Sequence, residues 1–147
     1  DFTGPEPVLG VGENLTRNKI KVEETSQCRQ HFLSAPGCRQ AKRMLGNYHQ
    51  GRSQQLISMT RQHLRILTGF LTGHCKLNAH LAKLGITEEN ACRFCRMDKE
   101  DPLHLLTECE AIAMTLGILQ PKEEDIPSMN PSNILRLLKE IGMEDVL

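Results

Sequence analysis

Residues 92–109 read CRFCRMDKEDPLHLLTEC, and four of these side chains can bind one metal ion: Cys92, Cys95, His104 and Cys109. Their spacing is Cys-x2-Cys-x8-His-x4-Cys. Zinc binds thiolate sulfur and imidazole nitrogen at the corners of a tetrahedron, with bonds of about 2.0–2.3 Å. Two residues between the first pair of cysteines form a turn that aims both sulfurs at one point. The second pair can close the site from a short helix and its exit, so the spacing predicts one structural Zn2+ site.

Two other kinds of chemistry fit these residues less well. A thioredoxin-like redox pair at Cys92 and Cys95 would need a strand before it and a helix behind it, and the sequence offers neither. Four protein ligands leave no coordination position for a catalytic water. Paired carboxylates or a nucleophile with its base cannot be picked out elsewhere, so we expect that the chain is not an enzyme by itself.

Nearby aromatic and histidine residues allow further interpretations. Phe94, between the two cysteines, can stack on a nucleobase or pack against the helix of the cluster, and packing is the favoured role. Three further side chains are of types that can bind a metal ion: His74, Cys75 and His80. They lack a fourth ligand and a paired spacing. We interpret them as ordinary side chains rather than as a second metal site.

The remaining composition predicts an all-α fold. The chain has no Trp, one Tyr and four Phe, so its core must be made from Leu, Ile, Met and Ala. Such side chains at helical spacing favour helices over strands. We expect a small helical module containing an αα-hairpin, with the metal cluster embedded in it and an extended linker at residues 1–13. The predicted helices cover residues 14–29, 38–45, 58–72, 74–84, a short segment from Pro102, and 131–141, with a polar loop at 47–53.

Charge divides the chain into unlike parts, although it sums to zero. Residues 1–24 have net charge −2, residues 25–87 have +9 with no carboxylate, and residues 88–147 have −7. A positive surface attracts the phosphates of nucleic acid. The candidate phosphate contacts are Arg39, Lys42, Arg43, Arg52, Arg61 and Arg65. The alternative is that the basic segment docks against the acidic C-terminal segment.

The domain prediction follows these patterns: linker 1–13, basic helical region 14–90, zinc cluster 91–116, and acidic tail 117–147 with a terminal helix. The start without Met indicates a piece of a longer chain, and no apolar run is long enough for a membrane span. A Cys-x-x-Cys and scattered further cysteines are typical of reduced thiols. We therefore expect an intracellular protein, nuclear or cytoplasmic, without membrane contact.

The order of motifs along the chain resembles that of a known family. Residues 64–81 read LRILTGFLTGHCKLNAHL, and they are followed by Leu84-Gly85 and by the Cys-Cys-His-Cys cluster. This order resembles the region after the RNase H domain in jockey-like non-LTR retrotransposon reverse transcriptase polyproteins. The opening residues 2–7, FTGPEP, are similar to the segment just past that RNase H domain. The resemblance implies that reverse transcriptase and RNase H domains lie upstream in the parent chain, and that their catalytic carboxylates precede Asp1. It covers nearly the whole chain, most securely residues 58–109.

In that family the Cys-Cys-His-Cys region is thought to hold template RNA or target DNA, so the resemblance implies a nucleic-acid-binding role with RNA or DNA as partner. Only the four ligand positions carry over. After Cys109 the chain lacks the Arg-rich connection of its relatives, so we expect no basic contribution there. The alternative function is a structural or protein-interaction module, with a docking face of leucines: Leu64, Leu67, Leu71, Leu77 and Leu81.

Overall fold

The fold is built from α-helices. The computed structural model describes residue 10 and residues 12–143. Its helices are α1 Glu13–Ser34, α2 Arg39–Leu45, α3 Gln50–Ile57, α4 Arg61–Thr72, α5 Asn78–Lys83, α6 Pro102–Thr107, α7 Glu110–Leu116 and α8 Pro131–Glu140, with a 3₁₀ helix Glu123–Ser128 before α8. In this part of the chain there is no strand, only an isolated bridge between Ala91 and Lys99. The all-α prediction is confirmed.

One apolar core joins α2, α4, α6, α7, the 3₁₀ helix and α8. Met44, Leu67, Leu105 and Ile126 have no exposed surface, and they belong to the same cluster of buried side chains. Burial of apolar surface of this kind is the main favourable contribution to folding. Two of the predicted metal ligands, Cys92 and Cys109, are part of that cluster. The candidate metal centre is therefore built into the core.

Helix α4 is the central element, and its leucine spacing places one face in the core. Thr60 caps its first turn by accepting a hydrogen bond from the N–H of His63 at 3.3 Å. Its buried side chains include Leu67, Phe70 and Leu71. The closest helical partners of α4 are α2 and α8. The predicted helix is confirmed, with its start a few residues later than the expected Ser58.

The two helices of the predicted hairpin are α4 and α5. The second is shorter than expected, because residues 74–77 are not helical and α5 begins at Asn78. The docking face predicted from these helices needs correction. Leu67, Leu71 and Leu77 are at most 4% exposed and cannot contact a partner. Leu64 and Leu81 are only partly buried.

Three local predictions differ from the structure. The polar loop predicted at 47–53 is wrong, because α3 occupies Gln50–Ile57 with the His49 ring accepting from the N–H of Arg52. The first helix continues five residues past the predicted end, to Ser34. Helix α7 and the 3₁₀ helix were not predicted. The predicted linker lies outside the described residues except at its last positions, where Glu13 already starts α1.

Helix α1 differs from the others because it has no buried residue. Leu15, Ile20, Val22 and Leu33 are each more than half exposed on it. The polar sequence of this helix gives it no apolar face to pack. None of the helices in residues 12–143 has the length and apolar character needed to cross a lipid bilayer.

Candidate metal centre

The four predicted ligands meet at one point. The donor atoms of Cys92, Cys95, His104 and Cys109 all lie within 4.8 Å of one another. The Sγ atoms of Cys92 and Cys109 are 3.8 Å apart, and Sγ of Cys95 is 3.2 Å from Nε2 of His104. Sulfurs bound at about 2.3 Å to tetrahedral zinc would be about 3.8 Å apart. The arrangement can therefore hold a metal ion with little movement.

A tight turn positions the first two cysteines. The N–H of Arg96 donates to the carbonyl of Cys92 at 2.9 Å, and Arg96 has a φ of 59°. The N–H of Cys92 donates to the carbonyl of Asp98 at 2.7 Å, so the chain folds back on itself after the turn. The two residues between the cysteines thus form the turn that the spacing predicts.

Helix α6 positions the other two ligands. Asp101 caps it by accepting from the N–H of His104 at 3.0 Å, and Pro102 occupies its first turn, where no N–H is needed. At its end the N–H of Cys109 donates to the carbonyl of His104 at 2.9 Å. This closing turn brings the fourth sulfur back beside the imidazole.

The protonation of the thiols depends on their surroundings. A hydrogen bond from the N–H of Met97, with others from neighbouring groups, lowers the pKa of Cys95 to about 6. Burial raises the pKa of Cys109 to about 12. A buried thiol loses its proton when a cation binds the sulfur. Cys95 would therefore offer a thiolate near neutral pH, whereas Cys109 would have to lose its proton on binding a metal ion.

His104 faces two kinds of neighbour. Its Nε2 points to Cys95, while its buried Nδ1 has no hydrogen-bond partner within the described residues. The carboxylate of Glu108 lies 3.7 Å from Nδ1, and Asp98, His104 and Glu108 form a second group of possible ligand atoms. A carboxylate behind a ligand histidine commonly fixes its tautomer.

Glu100 is a buried structural residue beside the candidate metal site that the sequence did not indicate. Its side chain is fully buried beside the metal turn, and it forms an ion pair with Arg93 at 2.6 Å. It also accepts from the backbone N–H groups of Arg93 at 2.7 Å and Asn78 at 3.0 Å. Glu100 therefore connects the metal turn to the start of α5. Its place in the run 98–101 resembles an exposed acidic loop, so no local signal marks it.

The basic residues proposed for phosphate contact fall into two groups. Arg43 pairs with Glu123 at 2.8 Å, and Arg52 donates to the carbonyl of Met129 at 2.9 Å. Lys42 donates to the carbonyls of Leu33 and Ala35 at 3.0 and 2.7 Å. These three side chains serve the fold.

The other three cations are exposed. The side chains of Arg39, Arg61 and Arg65 have no hydrogen bond or ion pair to any described residue. Phe94, also named as a nucleic-acid contact, is half-buried and packs against the core, in line with its favoured structural role. Fewer basic side chains are therefore available for binding phosphate than the sequence predicts.

His74, His80 and Cys75 do not form a metal site. The two imidazole rings touch edge to face with centroids 5.3 Å apart. Cys75 is buried, and burial raises the pKa of its thiol to about 11. These three residues do not appear together in any group of possible ligand atoms within the described chain.

Comparisons with known proteins give no match: no family model, no curated protein and no solved structure matches this chain.

Proposed function

We propose that the chain is a zinc-stabilised module that binds nucleic acid and is not catalytic by itself. The observation that carries the proposal is the combination of a four-ligand cluster with the carboxylate-free stretch of residues 25–87, whose Arg61 and Arg65 are exposed on α4. Three thiolates and one imidazole are the ligands typical of structural zinc. The cluster is part of the apolar core, so metal binding and folding are expected to be coupled.

Metal analysis tests the zinc proposal. The purified chain should contain one zinc, and Cys95→Ser should lose it together with much of the helical circular dichroism. Cys38→Ser is the matched control, because Cys38 is exposed and outside the cluster. Retention of stoichiometric zinc by Cys95→Ser, or helical content unchanged after chelation, would contradict a structural zinc.

The nucleic-acid proposal rests on exposed cations without partners among the described residues. Arg61 and Arg65 lie one turn apart on α4, and Lys76 and Lys83 follow on the next segment, all exposed. Residues 25–87 contain no carboxylate that could neutralise them locally. Contacts of this kind go to phosphates and carry little sequence preference. We therefore expect binding to RNA and DNA that weakens steeply with salt.

Titrations of single-stranded RNA and duplex DNA across salt concentrations test this role. Removal of one phosphate-binding cation should reduce the slope of log affinity against log salt by about 1. Arg61→Ala with Arg65→Ala should therefore reduce the slope by about 2, whereas the control Arg136→Ala should leave it unchanged. Arg136 is a suitable control because it is exposed on α8 and lies 3.9 Å from Glu140. Absent or salt-independent binding would contradict the proposal.

A second candidate function is a structural or protein-interaction module. The observation in its favour is that the basic and acidic segments meet: Arg43 pairs with Glu123, and Arg52 reaches the carbonyl of Met129. Part of the positive charge is thus used within the chain. Under this proposal the zinc stabilises a fold whose exposed surface contacts a neighbouring domain.

We also propose that the chain derives from a jockey-like retrotransposon polyprotein, with reverse transcriptase and RNase H domains as its neighbours and an intracellular location, nuclear or cytoplasmic. The support is the order of motifs in residues 64–109. Sequencing the full-length transcript tests this origin. An upstream reading frame without polymerase and RNase H motifs would contradict it.

A further inference from the structure

A groove separates α4 from the segment that follows it. One wall is α4, from Arg61 to Thr72, and the other is formed by residues 74–86 with α5. The groove has a volume of about 860 Å³ and is open to solvent along its length. It lies on a different face of α4 from the core contacts of Leu67 and Phe70.

Aliphatic side chains form the floor and mouth of the groove. Leu64 and Leu81 are partly buried along it, and Leu84 and Ile86 at its edge are 58% and 66% exposed. Apolar side chains gathered in an open groove mark interaction sites more often than scattered ones do. The apolar stripe of an amphipathic helix meets a groove in this way, with anchors at every third or fourth residue.

Positive charge surrounds this apolar floor. Arg61 and Arg65 stand on the α4 wall, and Lys76 stands on the other wall with His74 and His80. Among the described residues that line the groove there is no carboxylate. The three cations have no ion pair with any described residue, so their charge is available to a ligand. A ligand that covers the floor would therefore bind most tightly if its flanks were acidic.

We propose that this groove binds an acidic amphipathic helix of another protein or domain, with leucine-type anchors on the floor and Glu or Asp side chains against the rim. Nucleic acid fits the floor less well. Proteins that bind single strands stack the bases on aromatic side chains, and the described lining contains no Phe, Tyr or Trp. Duplex nucleic acid would leave the aliphatic floor uncovered.

The exposed helix α1 of a second copy is also a poor occupant. It contains four basic and three acidic side chains, so it offers no acidic flank to the basic rim. The proposal goes beyond the nucleic-acid function and does not rest on it. Because Arg61 and Arg65 would serve both ligands, the helix and nucleic acid should compete.

Fluorescence anisotropy of labelled peptides on the full zinc-loaded chain tests the proposal. The probe is a helical peptide of about 16 residues, with leucines at i, i+3, i+4 and i+7 spacing and glutamates elsewhere. The controls are the same helix with lysines in place of the glutamates and a version with scrambled leucines. We expect the acidic amphipathic peptide to bind at least about tenfold more tightly than either control. Equal binding of the three peptides, or none, would overturn the proposal.

Variants locate the binding. Leu84→Ser with Ile86→Ser should weaken the acidic peptide at least about tenfold, and both positions are exposed enough to change without loss of the fold. Leu119→Ser is the control, since Leu119 is 98% exposed and does not line the groove. Arg61→Glu with Arg65→Glu should transfer preference to the lysine peptide. Unchanged peptide affinity in Leu84→Ser with Ile86→Ser would overturn the assignment.

A single-stranded oligonucleotide separates the two functions. Its affinity should fall with Arg61→Ala and Arg65→Ala but remain unchanged in Leu84→Ser with Ile86→Ser. If the serine variant weakens the oligonucleotide as much as the peptide, the groove is a nucleic-acid site and the helix proposal is wrong. Failure of the oligonucleotide to bind, with peptide binding intact, would count against the proposed function and leave the groove assignment standing.

Discussion

At the scale of single residues, the two ring nitrogens of the candidate ligand His104 face different neighbours. Nε2 of His104 lies 3.2 Å from Cys95, and Nδ1 lies 3.7 Å from the carboxylate of Glu108, one helical turn away. An Nδ1–H directed at that carboxylate leaves Nε2 free to bind metal. We therefore expect the carboxylate of Glu108 to orient the His104 ring when a metal ion binds, although Glu108 need not touch the ion.

Removal of this carboxylate should weaken metal binding without removing a ligand. We expect Glu108→Gln to lower zinc affinity about 10–100-fold, as is typical when a ligand histidine is deprived of its carboxylate partner. Competition with a chromophoric chelator measures the change. Glu24→Gln is the control, because Glu24 is exposed on α1 and does not line the cavity beside the candidate ligands. Equal affinities of the two variants would show that Glu108 has no such role.

Glu100 is the second residue whose replacement should have a large effect, in this case on the free energy of unfolding. Burial alone would raise its pKa, but hydrogen bonds from the Arg93 side chain and from the N–H groups of Arg93 and Asn78 lower the pKa below its ordinary value of 4.5. A carboxylate whose pKa is lower in the folded state stabilises the fold above its unfolded pKa. That contribution disappears as the pH falls through the folded pKa.

The corresponding prediction concerns Glu100→Gln. We expect this variant to lose roughly 1–3 kcal/mol of unfolding free energy at neutral pH, because Gln leaves buried donors poorly satisfied. The difference from the parent chain should narrow as the pH falls below about 4.5, since Glu100 then takes up a proton in the unfolded chain before it does so in the folded chain. Urea unfolding of both chains from about pH 7 to about pH 3.5 measures it. A difference that does not depend on pH would contradict the ionised role.

At the scale of elements, the end of α2 is where the basic helices meet the 3₁₀ helix. Gly46 ends α2 with φ 66° and ψ −77°, a conformation that other residues rarely adopt. A Cβ at this position would lie 2.9 Å from Cβ of Pro127. The chain therefore needs glycine here both for the turn and for the close approach of the 3₁₀ helix.

Substitution by alanine separates these two requirements. Gly46→Ala should cost about 2–4 kcal/mol, from the strained backbone together with the collision at Pro127. Gly85→Ala should cost only about 1–2 kcal/mol, because Gly85 has a φ of 71° but open space around its Cα. Thermal or urea unfolding of both variants gives the comparison. Equal costs would mean that the collision at Pro127 relaxes freely.

At the scale of the whole molecule, α1 contributes little to the core. It has no buried residue, and its link to α3 is a 3.4 Å contact from Arg29 to the carbonyl of Tyr48 just before that helix. Helices in proteins gain most of their stability from tertiary packing, and α1 has little of it. Helix α8 is the opposite case, because Ile134, Leu137 and Leu138 are buried in the core.

Truncation tests this division. Removal of residues 1–32 should change the free energy of unfolding of the rest by no more than about 0.5 kcal/mol, since none of the described residues in that segment is buried. That deletion retains Leu33 and Ala35, whose carbonyls accept from Lys42. Removal of residues 131–147 should abolish cooperative unfolding. A large loss of stability without residues 1–32 would show that α1 packs more strongly than its exposure indicates.

Features that depend on neighbours along the chain could be predicted from the sequence. The ligand set, the helix after Pro102, the leucine face of α4 and the last helix after Asn130 all follow from spacings within a few residues, where backbone geometry limits the outcome. The helix α3 was missed because its sequence is polar and its cap is a histidine rather than Ser, Thr, Asp or Asn.

Features that depend on distant neighbours could not be predicted in this way. Arg43 meets Glu123 across 80 residues, and Arg52 meets Met129 across 77. Glu100 is buried because the turn at Cys92 folds against the start of α5, and Leu67, Leu71 and Leu77 are core residues because they belong to one buried cluster with side chains of α2, α6 and α8. Charge and hydrophobicity identify which side chains can pair or pack, whereas their partners depend on how the helices are arranged. The spacing of the cysteines and His104 therefore predicted the metal centre, and helix packing selected which cations and leucines remain exposed for binding.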